Sequence, residues 1–200
     1  ATFGIGPDRN PMIGRIQETI VVTAEDGTSA TVAHLNQAPG SGVGLFSPRF
    51  GPYLSTALRG VEVELRGVAL PLRPVGSWTG SVTAIRPAGS GAAIPRDGLV
   101  LVMPASNAFL ASLTLTAPVA ISASITAGWE GVTQAVSGRG LLVSGGSPEI
   151  SPRPADAPWT HPRSALGIDR HGKVIIVTVD GRDTTSRGID LDDLAALMID

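Results

Sequence analysis

Apolar and polar positions alternate with a period of two through most of the chain, the signature of half-buried strands. Val61, Val63 and Leu65 alternate with Glu62, Glu64 and Arg66, which predicts a strand with one solvent face. Val119, Ile121, Ala123 and Ile125 repeat the pattern with small and polar partners. Gln17–Ala24 and Ala30–Leu35 flank Glu25-Asp26-Gly27-Thr28, a hairpin signal. Further strands are expected at Val68–Leu72, Val82–Arg86 and Leu99–Met103, and within the Gly- and Pro-rich start Ala1–Arg15. Loops are expected at Ala38–Gly42, Pro74–Thr79 and Pro87–Ala93, and a long surface loop at Ser144–Pro158. Ser106 is placed to cap a short helix through Leu113.

The last forty residues carry the most information. Arg170-His171-Gly172-Lys173 separates Ala165–Asp169 from Val174–Val179, again a hairpin. Val174-Ile175-Ile176-Val177-Thr178-Val179 is β-branched and almost continuously apolar, so it predicts a central strand covered on both faces. A polar loop follows, from Asp180-Gly181-Arg182 to Gly188. Leu191, Leu194, Ala195 and Met198 then form one helical stripe. Asp190 is its N-cap, with Asp192 and Asp193 in the first turn. The helix carries no stop signal, which leads us to expect an excised chain.

Composition narrows the field. In 200 residues, 42% hydrophobic and 16% charged with 25 Gly and 16 Pro, short strands and tight turns are favoured over a helical bundle. The expected fold class is α+β: a strand-dominated mixed sheet, a few short helices, and the C-terminal helix packed on the sheet. A net charge of −2 gives no footprint for nucleic acid or an anionic membrane. With no Cys, disulfides and thiolate metal sites are excluded. No window reaches the ~18 apolar residues of a membrane span. His34, His161 and His171 have no metal-ligand spacing. His171 reads as a solvated turn residue and His34 as structural. His161 precedes Pro162, which restricts it to extended backbone, and Arg163 follows.

Arg163 and Arg182 each enter or leave a strand of one hairpin, so both can reach one end of the sheet. A guanidinium matches two oxygens of an anion such as a phosphate with a forked pair of charge-assisted hydrogen bonds. The competing reading is an Arg–Asp ion pair closing the hairpin, with Asp169 or Asp180 as partner. For carboxylate chemistry, Asp180 stands at the end of a strand. Glu130, Glu149 and Asp190 are candidate second carboxyls for two-carboxylate chemistry, in which such a pair stands ~5–9.5 Å apart.

Three consecutive motifs, His161–Ile168, Val177–Arg182 and Ser186–Ala195, resemble those of the phosphodiester glycosidases. Fainter likeness runs through Leu45–Gly51, Ile94–Leu101 and Ala135–Val143. The family's Asp-Gly-Gly-Gly-Ser and Asn-Gly-Phe-Phe-like segments are absent, so residues 1–200 read as a partial domain, with 1–60 as a β-rich subregion, and are expected to be weak or dead in catalysis when expressed alone. The resemblance implies a hydrolase that cleaves the glycosidic bond of a sugar-1-phosphodiester on exported or cell-envelope glycans. It implies Asp180, Arg163 and Arg182 as catalytic residues, and His161, Gly181 and Ser186 as substrate contacts. No metal or other cofactor is assigned. The rival expectation is a non-catalytic polysaccharide-binding module whose groove is lined by Trp78, Trp129 and Trp159.

Overall fold

The computed structural model describes residues 1–37 and 41–200, so Ala38, Pro39 and Gly40 of the expected loop lie outside the described residues. Two compact units share the chain: Gln17–Ile125, and Ala1–Ile16 with Thr126–Asp200.

The second of these begins with β1 (Thr2–Ile5) and β2 (Pro11–Gly14), an antiparallel pair. The chain then builds β3 (Glu18–Ala24), β4 (Ser29–Leu35), β5 (Val43–Phe46), β6 (Val61–Arg66), β7 (Gly76–Pro87), β8 (Gly98–Met103) and β9 (Pro118–Ile125). These seven close into a barrel in the order β3-β4-β5-β8-β6-β7-β9. Only β4 and β5 pair in parallel within it. The expected mixed sheet is therefore mainly a closed one, which leaves no strand edge unpaired around the ring. Ile20, Val22, Val43, Leu45, Val63, Leu65, Leu99, Leu101, Val119 and Ile121 fill the interior, as strand alternation requires.

A second apolar layer lies outside β5 and β8. Phe46, Val100 and Val102 turn outward and pack against Leu54, Leu58 and Ile94. This layer overturns the expected solvent face of β6: Glu62 is 0% and Glu64 9% exposed. Both carboxylates are satisfied. Glu62 accepts hydrogen bonds from Arg86 Nε (3.1 Å), the Gly89 amide (3.1 Å) and Ser90 Oγ (3.3 Å). Glu64 accepts from Arg66 Nε (2.7 Å), Arg86 Nη1 (3.1 Å) and Thr83 Oγ1 (3.1 Å).

Three other expectations change. Val68–Leu72 is not a strand; Val68, Leu70 and Leu72 pack onto the barrel core from a loop. Residues Gly76–Thr79 of the expected 74–79 loop belong to β7. The short helix is a 3-10 turn, Ala108–Ser112, capped by Asn107 rather than Ser106: Asn107 Oδ1 accepts the Phe109 amide at 3.0 Å.

The chain completes the other unit with β10 (Gln134–Ser137), β11 (Leu141–Ser144), β12 (Ser147–Ser151), β13 (Arg163–Ile168), β14 (Val174–Val179) and α1 (Leu191–Leu197). β10 joins β1 and β2 in a three-stranded sheet, while β11–β12 and β13–β14 are two-stranded hairpins. The hairpin β11–β12 occupies the start of the expected Ser144–Pro158 loop, turning through Gly145 and Gly146, both at positive φ. Asp190 caps α1 as expected, accepting the Asp193 amide at 2.8 Å. Leu194 and Ala195 are buried, and the helix lies against β11 and β12. The expected hairpin β13–β14 is present in regular register, from Arg163↔Val179 to Ile168↔Val174. Its expected cover is not. Val174 is 43%, Ile175 36% and Ile176 69% exposed, and β13 is the only neighbour of β14 among the described residues.

Candidate functional site

The open end of the β13–β14 hairpin gathers the residues singled out above. It is held by main chain. His161 and Ile189 exchange backbone hydrogen bonds of 3.1 and 3.0 Å, drawing the segment before β13 against the end of the 180–188 loop. Gly188 sits at φ +94°, and a Cβ there would collide with the His161 carbonyl. A Cβ on Gly181 would come within 2.7 Å of Gly188 Cα and 2.8 Å of the Pro162 nitrogen. Gly181, expected as a substrate contact, is thus first a point where two backbones cross too closely for any side chain.

Between these glycines the loop binds itself. Ser186 Oγ donates to the Asp180 carbonyl at 2.6 Å. Asp183 Oδ1 accepts from the Thr185 amide (2.6 Å), Thr185 Oγ1 (2.7 Å) and the Ser186 amide (3.3 Å). The Thr185 hydroxyl and amide, then the Ser186 amide, hold the Asp183 carboxyl below its usual range. Arg182 adopts φ +65°, in the left-handed region that a side chain occupies at a cost. Asp180 and Arg182 are exposed, and neither side chain has a hydrogen bond or ion pair among the described residues.

Arg163 is placed otherwise. Its Nε donates to Ile189 O (2.9 Å), and its Nη2 donates to Asp156 O (3.1 Å) and Trp159 O (2.9 Å). The fork expected to grip a phosphodiester is filled by three backbone carbonyls, which leaves Nη1 as its free nitrogen. The competing Arg–Asp pair is also absent among the described residues. Asp169 instead accepts the His171 and Lys173 amides at 2.7 and 2.8 Å and shapes the turn. His171 is exposed there, as expected.

His161 stacks edge-on to Trp159, with ring centroids 6.2 Å apart. Its Nδ1 is buried without a partner among the described residues, and so is Asp156 Oδ1. Asp156 is the functional candidate that sequence reading missed, hidden in a Pro-rich stretch. Its Oδ2 accepts from Arg139 Nη1 at 2.8 Å. Burial pushes its carboxyl up, but the Arg139 hydrogen bond and the charges of Arg139 and Arg163 hold it below the usual range. The other candidate carboxyls are spoken for: Glu130 by the Gly128 amide, Glu149 by Arg15 and Asp190 by α1. Of the three tryptophans, Trp129 is 6% exposed and Trp78 packs on the barrel core, so the expected aromatic groove is reduced to Trp159, 61% exposed.

The geometry defines a class: a strand-dominated protein whose 180–188 loop, shaped by its own backbone, presents among the described residues an unpaired carboxylate, Asp180, and two unpaired guanidiniums, Arg182 and Arg187. Residues 74–200 match the phosphodiester glycosidases, and the chain belongs to that family. Two crystal structures share the fold. A hypothetical protein from Synechocystis superposes with a TM-score of 0.77 at 18% identity, over 98% of this chain and 37% of that one. A "Putative exported protein" from Burkholderia pseudomallei K96243 does so at 0.67 and 21%, over 98% and 48%. The chain therefore spans less than half the length of either. No curated protein matches it in sequence. Among the described residues, no helix is long and apolar enough to cross a membrane.

Proposed function

We propose that the protein is a hydrolase that cleaves the bond between an anomeric carbon and phosphate in a sugar-1-phosphodiester. Membership of the phosphodiester glycosidase family carries this reading. The site supports it through the unpaired side chains of Asp180 and Arg182, two residues apart on a loop fixed by its own main chain.

In this reaction water supplies oxygen to the anomeric carbon, and a phosphate monoester leaves with the electrons of the broken bond. Arg182 holds the non-bridging oxygens, and Arg163 adds the positive charge of Nη1 from a fixed position. Asp180 takes the proton of the attacking water or stabilises positive charge at the anomeric carbon. The Ser186 proton is committed to the Asp180 carbonyl, so toward a sugar its hydroxyl serves as acceptor. His161, beside exposed Trp159, presents a flat edge to the sugar ring. The motif resemblance favours substrates among exported or envelope glycans, and the Burkholderia structure is itself named a "Putative exported protein".

The test is release of free reducing sugar from a sugar-1-phosphodiester. Asp180→Asn and Arg182→Ala should each lower kcat/KM about a hundredfold or more. Unchanged turnover in both would remove these roles.

A further inference from the structure

Folding ordinarily hides a tryptophan, because its large apolar rings gain most from leaving water. Trp159 is 61% exposed, the only exposed Phe, Tyr or Trp of its unit among the described residues. Its backbone is nevertheless pinned. The Trp159 amide donates to the Asp156 carbonyl at 3.1 Å, and the Trp159 carbonyl accepts from Arg163 Nη2 at 2.9 Å. The residues just before it are pinned as well, Asp156 by Arg139 and the Ala157 carbonyl by the Leu191 amide at 3.0 Å. The His161 ring stands edge-on beside the indole. An open ring on a fixed backbone is a preorganised surface, which loses little freedom when it binds.

Trp159 does not belong to the open apolar surface of β14. Val174, Ile175 and Ile176 lie at the turn end of the hairpin, where Val174 pairs with Ile168. Trp159 precedes β13 at the opposite end, where Arg163 pairs with Val179. Five residue steps of ~3.4 Å put the two ends about 17 Å apart. Two residues on from Trp159 the chain crosses Gly188 and Gly181, so the indole is tied to the loop that carries Asp180, Arg182 and Arg187.

An apolar plate bordered by charge suits a ligand that is itself amphipathic. A pyranose ring is one: its hydroxyls point outward around the rim, while its faces gather C–H groups of partial positive charge. Those hydrogens settle on the negative face of an indole. An apolar side chain in the same place would desolvate the neighbouring charges without pairing them.

We propose that Trp159 is a sugar platform: it stacks on the C–H face of the hexopyranose whose phosphate the 180–188 loop holds. The ligand class rests on the hydrolase reading above and narrows it to six-membered sugar rings. Stacking orients the anomeric carbon toward Asp180 without touching the bond that breaks. Trp159 therefore sets affinity and specificity rather than the chemical step.

The test uses the protein at its natural length, labelled with 5-fluorotryptophan; the fluorine line of Trp159 is the one that Trp159→Phe removes. Glucose, galactose or mannose 1-phosphate should shift that line, and inorganic phosphate at the same concentration should not. No shift with any of the three sugars, or an equal shift with inorganic phosphate, overturns the platform. So does a line unmoved between ordinary and heavy water, which would place the indole in the protein interior. Kinetics give a second readout. Trp159→Ala should raise KM for a hexopyranosyl-1-phosphodiester about tenfold, and Trp159→Phe should restore most of the loss. A loss confined to kcat would count against a platform. The two readings fail separately: a sugar-dependent shift without turnover keeps the platform and removes the hydrolase, and turnover with an unmoved Trp159 line does the reverse.

Discussion

β8 and β14 are both nearly continuous apolar runs, Gly-Leu-Val-Leu-Val-Met and Val-Ile-Ile-Val-Thr-Val, with opposite surroundings. All six residues of β8 are buried. It has β5 and β6 as neighbours, the barrel interior on one face and the Leu54–Leu58–Ile94 layer on the other. Among the described residues, β14 has one neighbour and is largely exposed. A continuous apolar run states what a strand requires, and its partners in the fold decide whether the requirement is met. In β8 it is met twice over, by two strands and an outer layer that all precede it in sequence. In β14 it is left open.

The comparison can be broken first at the charges beside β8. Arg86→Ala would strand Glu62 in the outer layer without its cation, and should cost about 3–5 kcal/mol in urea unfolding. A loss under about 1 kcal/mol would mean that the outer layer admits water. Next, Leu101→Ala in β8 should cost about 2–5 kcal/mol, because Leu101 is fully buried. The matched change in β14, Ile176→Ala, should stay within about 0.5 kcal/mol in the 200-residue chain. Equal losses at the two positions would erase the distinction between the strands.

The smallest effect is in pH. Burial raises the Glu64 carboxyl, but hydrogen bonds from Arg66, Arg86 and Thr83 outweigh it and hold the pKa below the ordinary glutamate value. A depressed pKa contributes stability that is present above the unfolded value, about 4.3, and lost as pH falls through the folded one. The urea midpoint should therefore drop below about pH 4, and Glu64→Gln should flatten that drop. A wild-type curve as flat as the variant's would show that the Arg86 bridge does not bias Glu64.

Local features were legible in the sequence because local chemistry decides them. The Glu25–Thr28 and Arg170–Lys173 turns and the Asp190 cap each depend on a few adjacent residues. Barrel closure was not legible, since it depends on β3 pairing with β9, about a hundred residues away, from strands that look like any half-buried pair. Val68, Leu70 and Leu72 imitate a strand because a loop capping a barrel can also point every second side chain inward. Glu62 and Glu64 imitate a solvent face because charge in a sequence does not reveal the arginine that will neutralise it. At the candidate site the positions of Arg163, Asp180 and Arg182 along the hairpin were legible. The capture of the Arg163 fork by carbonyls was not, because those acceptors are main chain, which every residue carries.

The 180–188 loop keeps its shape through glycine crossings, backbone bonds and the short side chains of Asp183, Thr185 and Ser186. Arg182, Thr184 and Arg187 take no part in that scaffolding among the described residues. Ser186 apart, architecture and the proposed chemistry are therefore written in different letters of one nine-residue stretch. Substitution at Thr184 or Arg187 would change the charge and bulk shown to a ligand while leaving the bonds that shape the loop untouched.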